Sequence, residues 1–201
     1  MRRGGWPMRN PVLIGARVYL RALEVADAEP LARFAAEEPD TFMYRGRQPL
    51  SPLRFASWIA DAYKVQPPRS VEFAVCLRED DRLIGQLGFD DLDWINRTGE
   101  TGTFLAAPFR NAGFGTEAKH LLIEYGFEVL HLHAIMSTVF EANTRSAAAL
   151  AKQGYRPAGR MRWFDVKGGV YRDLLVFDLL RGEWLAARTA WQASRAAALR
   201  T

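Results

Sequence analysis

The spacing of hydrophobic and polar positions changes period several times along the chain, and each change predicts an element. Val18-Tyr19-Leu20-Arg21 alternates as a short strand. Asp27 is placed to cap a helix over Ala28 to Glu37, which ends before Pro39. Gly46 to Pro49 reads as a loop. Ser51-Pro52 then opens a second helix, with serine as cap and proline in the first turn, and Pro67-Pro68 closes it. Val71 to Leu77 alternates, Asp80-Asp81 turns the chain, and Leu83 to Phe89 returns as the hairpin partner. Beyond the polar stretch Asn96-Arg97-Thr98-Gly99, Glu100 to Ala106 is again strand-like.

Thr116 to Leu130 then switches to helical spacing, with Ala118, Leu121, Leu122, Tyr125 and Val129 on one face. His133 to Phe140 is a predicted strand, and Thr144 to Gln153 a helix ended by Gly154. Arg156 to Phe164 and Val170 to Leu180 are strands joined by a turn at Lys167-Gly168-Gly169. Glu183 to Leu199 is a terminal helix with Trp184, Ala187 and Trp191 on one face. This order specifies an α/β (α+β) chain, with a mixed central sheet of about seven strands and helices on both faces. The expected organisation is a flexible tail over 1–11, one domain over 12–180, and a C-terminal helical extension over 181–201. That extension is expected to pack back on the domain; a homodimer contact or a lid is the other use of its apolar face.

Composition narrows the class. At 201 residues and 49% hydrophobic, the chain is long enough for one domain with a real core. No apolar run approaches the roughly 20 residues that cross a bilayer, and no apolar segment follows the basic start Met1-Arg2-Arg3. Neither a membrane partner nor a secretory signal is therefore expected. Cys76 is the one cysteine, which points to a reducing, cytoplasmic setting and to a small buried apolar role inside its strand. The net charge of +4 is carried mostly by arginine. Arginine suits nucleic acid or a polyphosphate ligand equally, but no dense basic run appears, which disfavours nucleic acid.

The segment richest in chemistry is Arg110-Asn111-Ala112-Gly113-Phe114-Gly115-Thr116, between a predicted strand and a predicted helix. Glycines there let backbone N–H groups converge, and the helix start adds partial positive charge suited to a pyrophosphate. Phe109 and Phe114 offer flanking apolar surface. No Gly-Lys-Ser/Thr is present, which excludes a nucleotide-hydrolysing P-loop, and the third glycine and acid of a dinucleotide fingerprint are missing. The loop alone fits equally a turn that needs glycine only for its geometry.

At this point the sequence resembles the GCN5-related N-acetyltransferases (GNAT), and within them the ribosomal-protein alanine acetyltransferase branch of RimJ/RimL type. Arg110, Gly113 and Gly115 match that family's Gln/Arg-x-x-Gly-x-Gly/Ala signature, and Thr116-Glu117-Ala118 resembles its continuation. Asn143-Thr144-Arg145-Ser146, Gln153-Gly154-Tyr155 and Tyr171-Arg172-Asp173-Leu174-Leu175-Val176-Phe177 are similar to later motifs of the branch, so the likeness spans about Val12 to Leu180. The resemblance implies acetyl-CoA as acyl donor, lying in a splayed gap between the fourth and fifth strands. It implies backbone pairing of pantetheine with Leu105 and Ala107, and pyrophosphate on the N–H groups of Asn111 to Thr116. Asn143 would contact pantetheine or a water near the thioester. Asn111-Ala112 departs from the family's usual glycine and basic residue, leaving one fewer cation near the phosphates, for which Arg110 and Arg145 are the expected compensation.

Acetyl transfer to an amine requires loss of an ammonium proton, polarisation of the thioester carbonyl and stabilisation of the leaving thiolate. Glu100, opening the fourth predicted strand, is the candidate base, with a solvated strand end as its other reading. Asp165, read as following the sixth strand, is either a second acid or a turn residue. Ser146 matches the branch's serine near the sulfur and is otherwise a helix cap. Tyr155 is expected in the core. His131 and His133 would share a strand face, but no cysteine or carboxylate completes a ligand set, so no metal is expected. His120 is expected at the surface or near the cofactor. Trp58, Trp94, Trp163, Phe42 and Tyr44 are candidate pocket walls, Arg45 and Arg47 candidate anion readers, and Asp90, Asp91 and Asp93 candidate attractors of a cationic amine. The acceptor is left open among a protein N-terminus, a lysine, a free amino acid, a polyamine and an aminated antibiotic. Another acyl-CoA, or a non-catalytic acyl-CoA-binding module, is the alternative function.

Overall fold

The computed structural model describes residues 8–38, 50–167 and 169–198. The chain divides into two compact units, Met1–Leu92 with Gly102–Leu122, and Asp93–Thr101 with Ile123–Thr201.

The first unit holds β1 (Leu13–Ile14), β2 (Val18–Ala22), β3 (Val71–Leu77) and β4 (Leu83–Asp93), each antiparallel to the next. β3 is buried continuously from Phe73 to Leu77, as expected of a strand covered on both faces. One of those faces carries α1 (Ala28–Glu37) and α2 (Pro52–Ala62), whose Leu31, Phe34, Phe55 and Ile59 pack with Tyr19, Ala74, Cys76 and Phe104. Burial pushes the Cys76 thiol up to about 11, so it packs as an apolar residue. Ser51 caps α2 as expected, its hydroxyl accepting from the Arg54 N–H at 3.3 Å.

Asp27 does not cap α1 with its side chain. Its carboxylate accepts instead from both terminal nitrogens of Arg21, at 2.7 Å each, and from the Glu24 N–H at 2.8 Å. Arg21 points into the core from β2, and a guanidinium there needs a bidentate partner more than the helix needs a cap. Asp27→Ala would leave that buried cation without its bidentate carboxylate, so a loss of about 3–5 kcal/mol is expected in denaturant unfolding. Of the expected tail, 1–7 lies outside the described residues, while Met8 packs on the core cluster and the Arg9 guanidinium meets Glu24 at 3.2 Å.

β5 (Thr98–Leu105) is shared by both units, and α3 (Phe114–Glu128) runs from the first into the second. In the second unit β5 lies parallel to β6 (Ala134–Phe140), with Glu100 opposite Met136. β6 is antiparallel to β8 (Val170–Leu180), which pairs with β7 (Arg156–Lys167). α4 (Thr144–Lys152) and α5 (Arg181–Ala198) complete it. The strand order is β1-β2-β3-β4-β5-β6-β8-β7, a mixed sheet of eight. The strand beyond the seven expected is β1, two residues long and too short to show a period.

Several boundaries differ from those the spacing predicts, three of them in β4, β7 and α5. β4 runs on to Asp93 and β7 to Lys167, and α5 begins at Arg181. β7 is longer because a bulge at Trp163 (φ 53°) restarts its pairing with β8. The Asp173 carboxylate holds that bulge, accepting from the Trp163 N–H at 2.8 Å and Arg160 Nε at 2.6 Å, and these bonds keep it below the usual carboxylate range.

Candidate active site

The glycine segment is an exposed turn between a short 3-10 helix at Ala107–Phe109 and α3. Asn111 (φ 61°) and Gly113 (φ 82°) both take the left-handed conformation, asparagine tolerating it better than most side chains do. The turn delivers the chain to the start of a 15-residue helix, whose first N–H groups at Phe114, Gly115 and Thr116 have no acceptor within the helix. Gly115 serves packing: a Cβ there would stand 3.0 Å from Leu105 Cδ1, so the helix start lies close on β5. Gly85 presses on the same leucine from β4.

Arg110 turns away from the loop. Its Nε donates to the Leu105 carbonyl at 2.7 Å, and Nη1 and Nη2 reach the two carboxylate oxygens of Glu38 at 2.6 and 2.7 Å. It ties the end of α1 to the end of β5, its charge already matched. The Leu105 carbonyl, expected to face pantetheine, accepts from Arg110. Arg17, more than ninety positions earlier and unmarked by the sequence pattern, is the guanidinium on the loop, with Nη1 donating to the Ala112 carbonyl at 2.9 Å.

The candidate chemical residues belong to the second unit. Glu100 is half-buried on β5, and the Thr138 hydroxyl of β6 donates to its Oε1 at 2.5 Å. Just beyond the last backbone pair, side chains join the two strands: Ser137 Oγ donates to the Thr101 carbonyl at 3.2 Å, and Thr101 Oγ1 meets the Tyr155 hydroxyl at 3.0 Å. Tyr155 is a core residue as expected, its hydroxyl pushed up by burial. Asn143 is the cap of α4, its Oδ1 accepting from the Ser146 N–H at 3.2 Å. Ser146 is therefore not the cap. Arg145 is exposed in the first turn. Asp165 lies inside β7, not in the turn after it, opposite Arg172 and 3.8 Å from its guanidinium. The longer strand replaces the turn reading with an ion pair.

The histidines depart from expectation. His131 and His133 precede β6 rather than sharing its face, and His120 is buried. Among the described residues no group of three or more His, Cys, Asp and Glu is placed to hold a metal. Trp163 stacks on Tyr171 at 5.0 Å on an exposed hairpin, while Trp58 packs on the core cluster. Phe42, Tyr44, Arg45 and Arg47 lie outside the described residues.

One carboxyl escaped the sequence reading. Glu72 pairs with Gly88, and a Cβ at Gly88 would stand 2.3 Å from Glu72 Oε2, so the side chain lies over bare backbone. Burial, then the charge of Asp90, raises the Glu72 carboxyl well above its ordinary 4.5. The signal was a single charge within an otherwise apolar strand, Val71-Glu72-Phe73-Ala74-Val75-Cys76-Leu77. Because the folded state holds this proton more tightly, stability falls as pH rises from 4.5 through the raised folded value. Glu72→Gln is expected to flatten that fall and to raise the Tm at neutral pH, measured by thermal unfolding across a pH series.

A family model described as Acetyltransferase (GNAT) domain matches residues 17–156. The p20 protein of Bacillus licheniformis, named as an uncharacterized N-acetyltransferase, is 30% identical over 173 residues, covering 84% of this chain and 95% of p20. Among solved structures, Mycobacterium smegmatis RimJ in complex with CoA-disulfide aligns with TM-score 0.79 at 23% identity, over 92% of this chain and 96% of that one. Spermidine N-acetyltransferase from Vibrio cholerae, in complex with CoA and spermine, aligns with TM-score 0.76 at 20% identity, over 85% of this chain and 99% of that one. Fold and family match define an acyltransferase enzyme. The chain belongs to the GNAT acetyltransferase family, and its relatives are N-acetyltransferases.

Proposed function

We propose that the chain carries an acetyl group from acetyl-CoA to a primary amine, by direct attack of the amine nitrogen on the thioester carbon. The observation that carries this reading is the turn at Asn111–Gly113, two left-handed residues that present the start of a long helix to solvent. The two solved neighbours named as complexes with CoA share the fold and add support.

In this reading the N–H groups from Asn111 to Thr116 take the diphosphate, and Ala107 and Asn143 pair with the pantetheine arm. Glu100 removes a proton from the ammonium, directly or through water. The amine forms its bond to carbon, the carbon–sulfur bond breaks, and the Ser146 hydroxyl donates toward the departing thiolate. No acyl-enzyme is required, which fits a buried, protonated Cys76. Asp165, matched to Arg172, shapes the hairpin end rather than moving a proton. A polyamine acceptor draws support from the neighbour named as a spermidine N-acetyltransferase, and a protein N-terminus from the resemblance to the ribosomal-protein branch.

Calorimetric titration with acetyl-CoA, followed by thiol release over N-terminal peptides, amino acids and polyamines, tests the reading. Micromolar binding with one amine driving release is expected. Binding without turnover on any amine would favour the non-catalytic alternative, and absence of binding would overturn the proposal. Ser146→Ala is expected to lower kcat about 10-fold, the loss of one hydrogen bond to a charged group, with KM for acetyl-CoA nearly unchanged.

A further inference from the structure

Resting on the acetyl-CoA reading, we infer that Arg17 is the guanidinium that pairs with the diphosphate of the acyl donor, supplying the cation the glycine loop itself lacks. Arg17 sits in the turn between β1 and β2 and is held there by Glu117, a buried carboxylate in the first turn of α3. Glu117 Oε1 accepts from the Arg17 backbone N–H at 2.7 Å and Oε2 from Arg17 Nε at 3.4 Å. Gly15 makes room for this clasp, since a Cβ there would stand 2.5 Å from Glu117 Oε1. The guanidinium then lies along the loop, its carbon 4.6 Å from the centre of the Phe114 ring.

A guanidinium has five N–H donors. In Arg17, Nε faces Glu117 and one Nη1 hydrogen the Ala112 carbonyl. The Nη2 pair is directed to neither; Nη2 lies 3.0 Å from where a Gly113 Cβ would stand, at the left-handed bend of the loop. The side chain is 45% exposed, open to a ligand arriving from solvent. Of the other lysines and arginines of the loop and α3, Arg110 is matched by Glu38 and Lys119 is buried with Nζ on Thr103 at 3.3 Å. A planar fork beside the unpaired first N–H groups of a helix suits a diphosphate. Glu117 acts as the positioning residue.

The test is calorimetric titration of Arg17→Gln, Arg17→Lys and unaltered protein with CoA and with dephospho-CoA, at several salt concentrations, alongside thermal unfolding without ligand. Arg17→Gln is expected to weaken both ligands alike, by about 10- to 100-fold, and to flatten the salt dependence of Kd, with Arg17→Lys between the two. A purely structural role would lower the Tm and leave the salt dependence unchanged, and that pattern would overturn the inference. So would unchanged CoA binding, or weakening confined to CoA, which would move Arg17 to the 3′-phosphate. If the unaltered protein binds neither ligand, the acetyl-CoA reading falls first and Arg17 with it.

Discussion

Trp184→Ala is expected to destabilise the protein by about 3–5 kcal/mol, the range for removing a large buried aromatic. The indole is fully buried, and its ring lies 5.6 Å from that of Phe127 near the end of α3. Arg188 covers it at 5.1 Å while its own Nη2 reaches Glu124 at 2.6 Å. Gly154 (φ 96°) ends α4 with bare backbone, and a Cβ there would stand 2.8 Å from the Glu183 carbonyl oxygen and 3.1 Å from Ala187 Cβ. α5 is thus built into the second unit rather than appended to it. The exposed pairs along it, Arg181–Glu128 at 2.8 Å and Arg156–Glu183 at 2.7 Å, contribute far less, so Arg181→Ala is expected to cost about 0.5 kcal/mol or less. Urea unfolding of Trp184→Ala, Trp184→Phe and Arg181→Ala separates the two contributions. Trp184→Phe should recover much of the loss; a cost below about 1 kcal/mol for Trp184→Ala would mean the ring is not part of the core.

The elements were legible because most of them obey a local rule. Alternation placed β3 to the residue, the turn signal Lys167-Gly168-Gly169 set the start of β8, and α1 ends at Glu37, ahead of Pro39, as expected. Local rules failed where a distant partner decides. Asp27 carries the sequence mark of a cap, yet Arg21 claims its carboxylate. Asn143 and Ser146 are both plausible caps, and only the backbone shows that Asn143 does it. β4 runs past the polar residues that appeared to end it, and β7 continues beyond Phe164 because the bulge at Trp163 restarts its pairing with β8. The site shows the same division. Its glycines announce a turn, but which arginine faces that turn depends on a contact between Arg17 and Glu117, a hundred positions apart. Glu72 could have been noticed as a charge inside an apolar strand, though its neighbour Gly88 becomes relevant only through the register of β3 on β4.

Glu100→Gln is expected to lower kcat by about 10²- to 10⁴-fold, the usual contribution of a positioned general base. The substitution keeps the shape of the side chain and its contact with the Thr138 hydroxyl, so the fold and acetyl-CoA affinity should change little. Its diagnostic feature lies in the pH dependence. An α-amine has a pKa near 8 and a lysine-like amine one near 10.4, so at pH 7 most of the acceptor is an ammonium that cannot attack. Glu100, in the proposed role, removes that proton. Raising the pH supplies free amine without the enzyme's help, and the deficit of the variant should therefore narrow as pH approaches the pKa of the acceptor. It should narrow at lower pH for a peptide N-terminus than for a polyamine, which makes the crossover a reading of the acceptor as well as of the base. Thr138→Val, which removes only the hydroxyl that orients Glu100, is expected to lose about 10-fold and to keep the pH behaviour of the unaltered enzyme. A deficit in Glu100→Gln that stays constant across pH would show that the carboxylate orients the acceptor instead of deprotonating it. A variant as active as the unaltered enzyme would remove Glu100 from the chemistry.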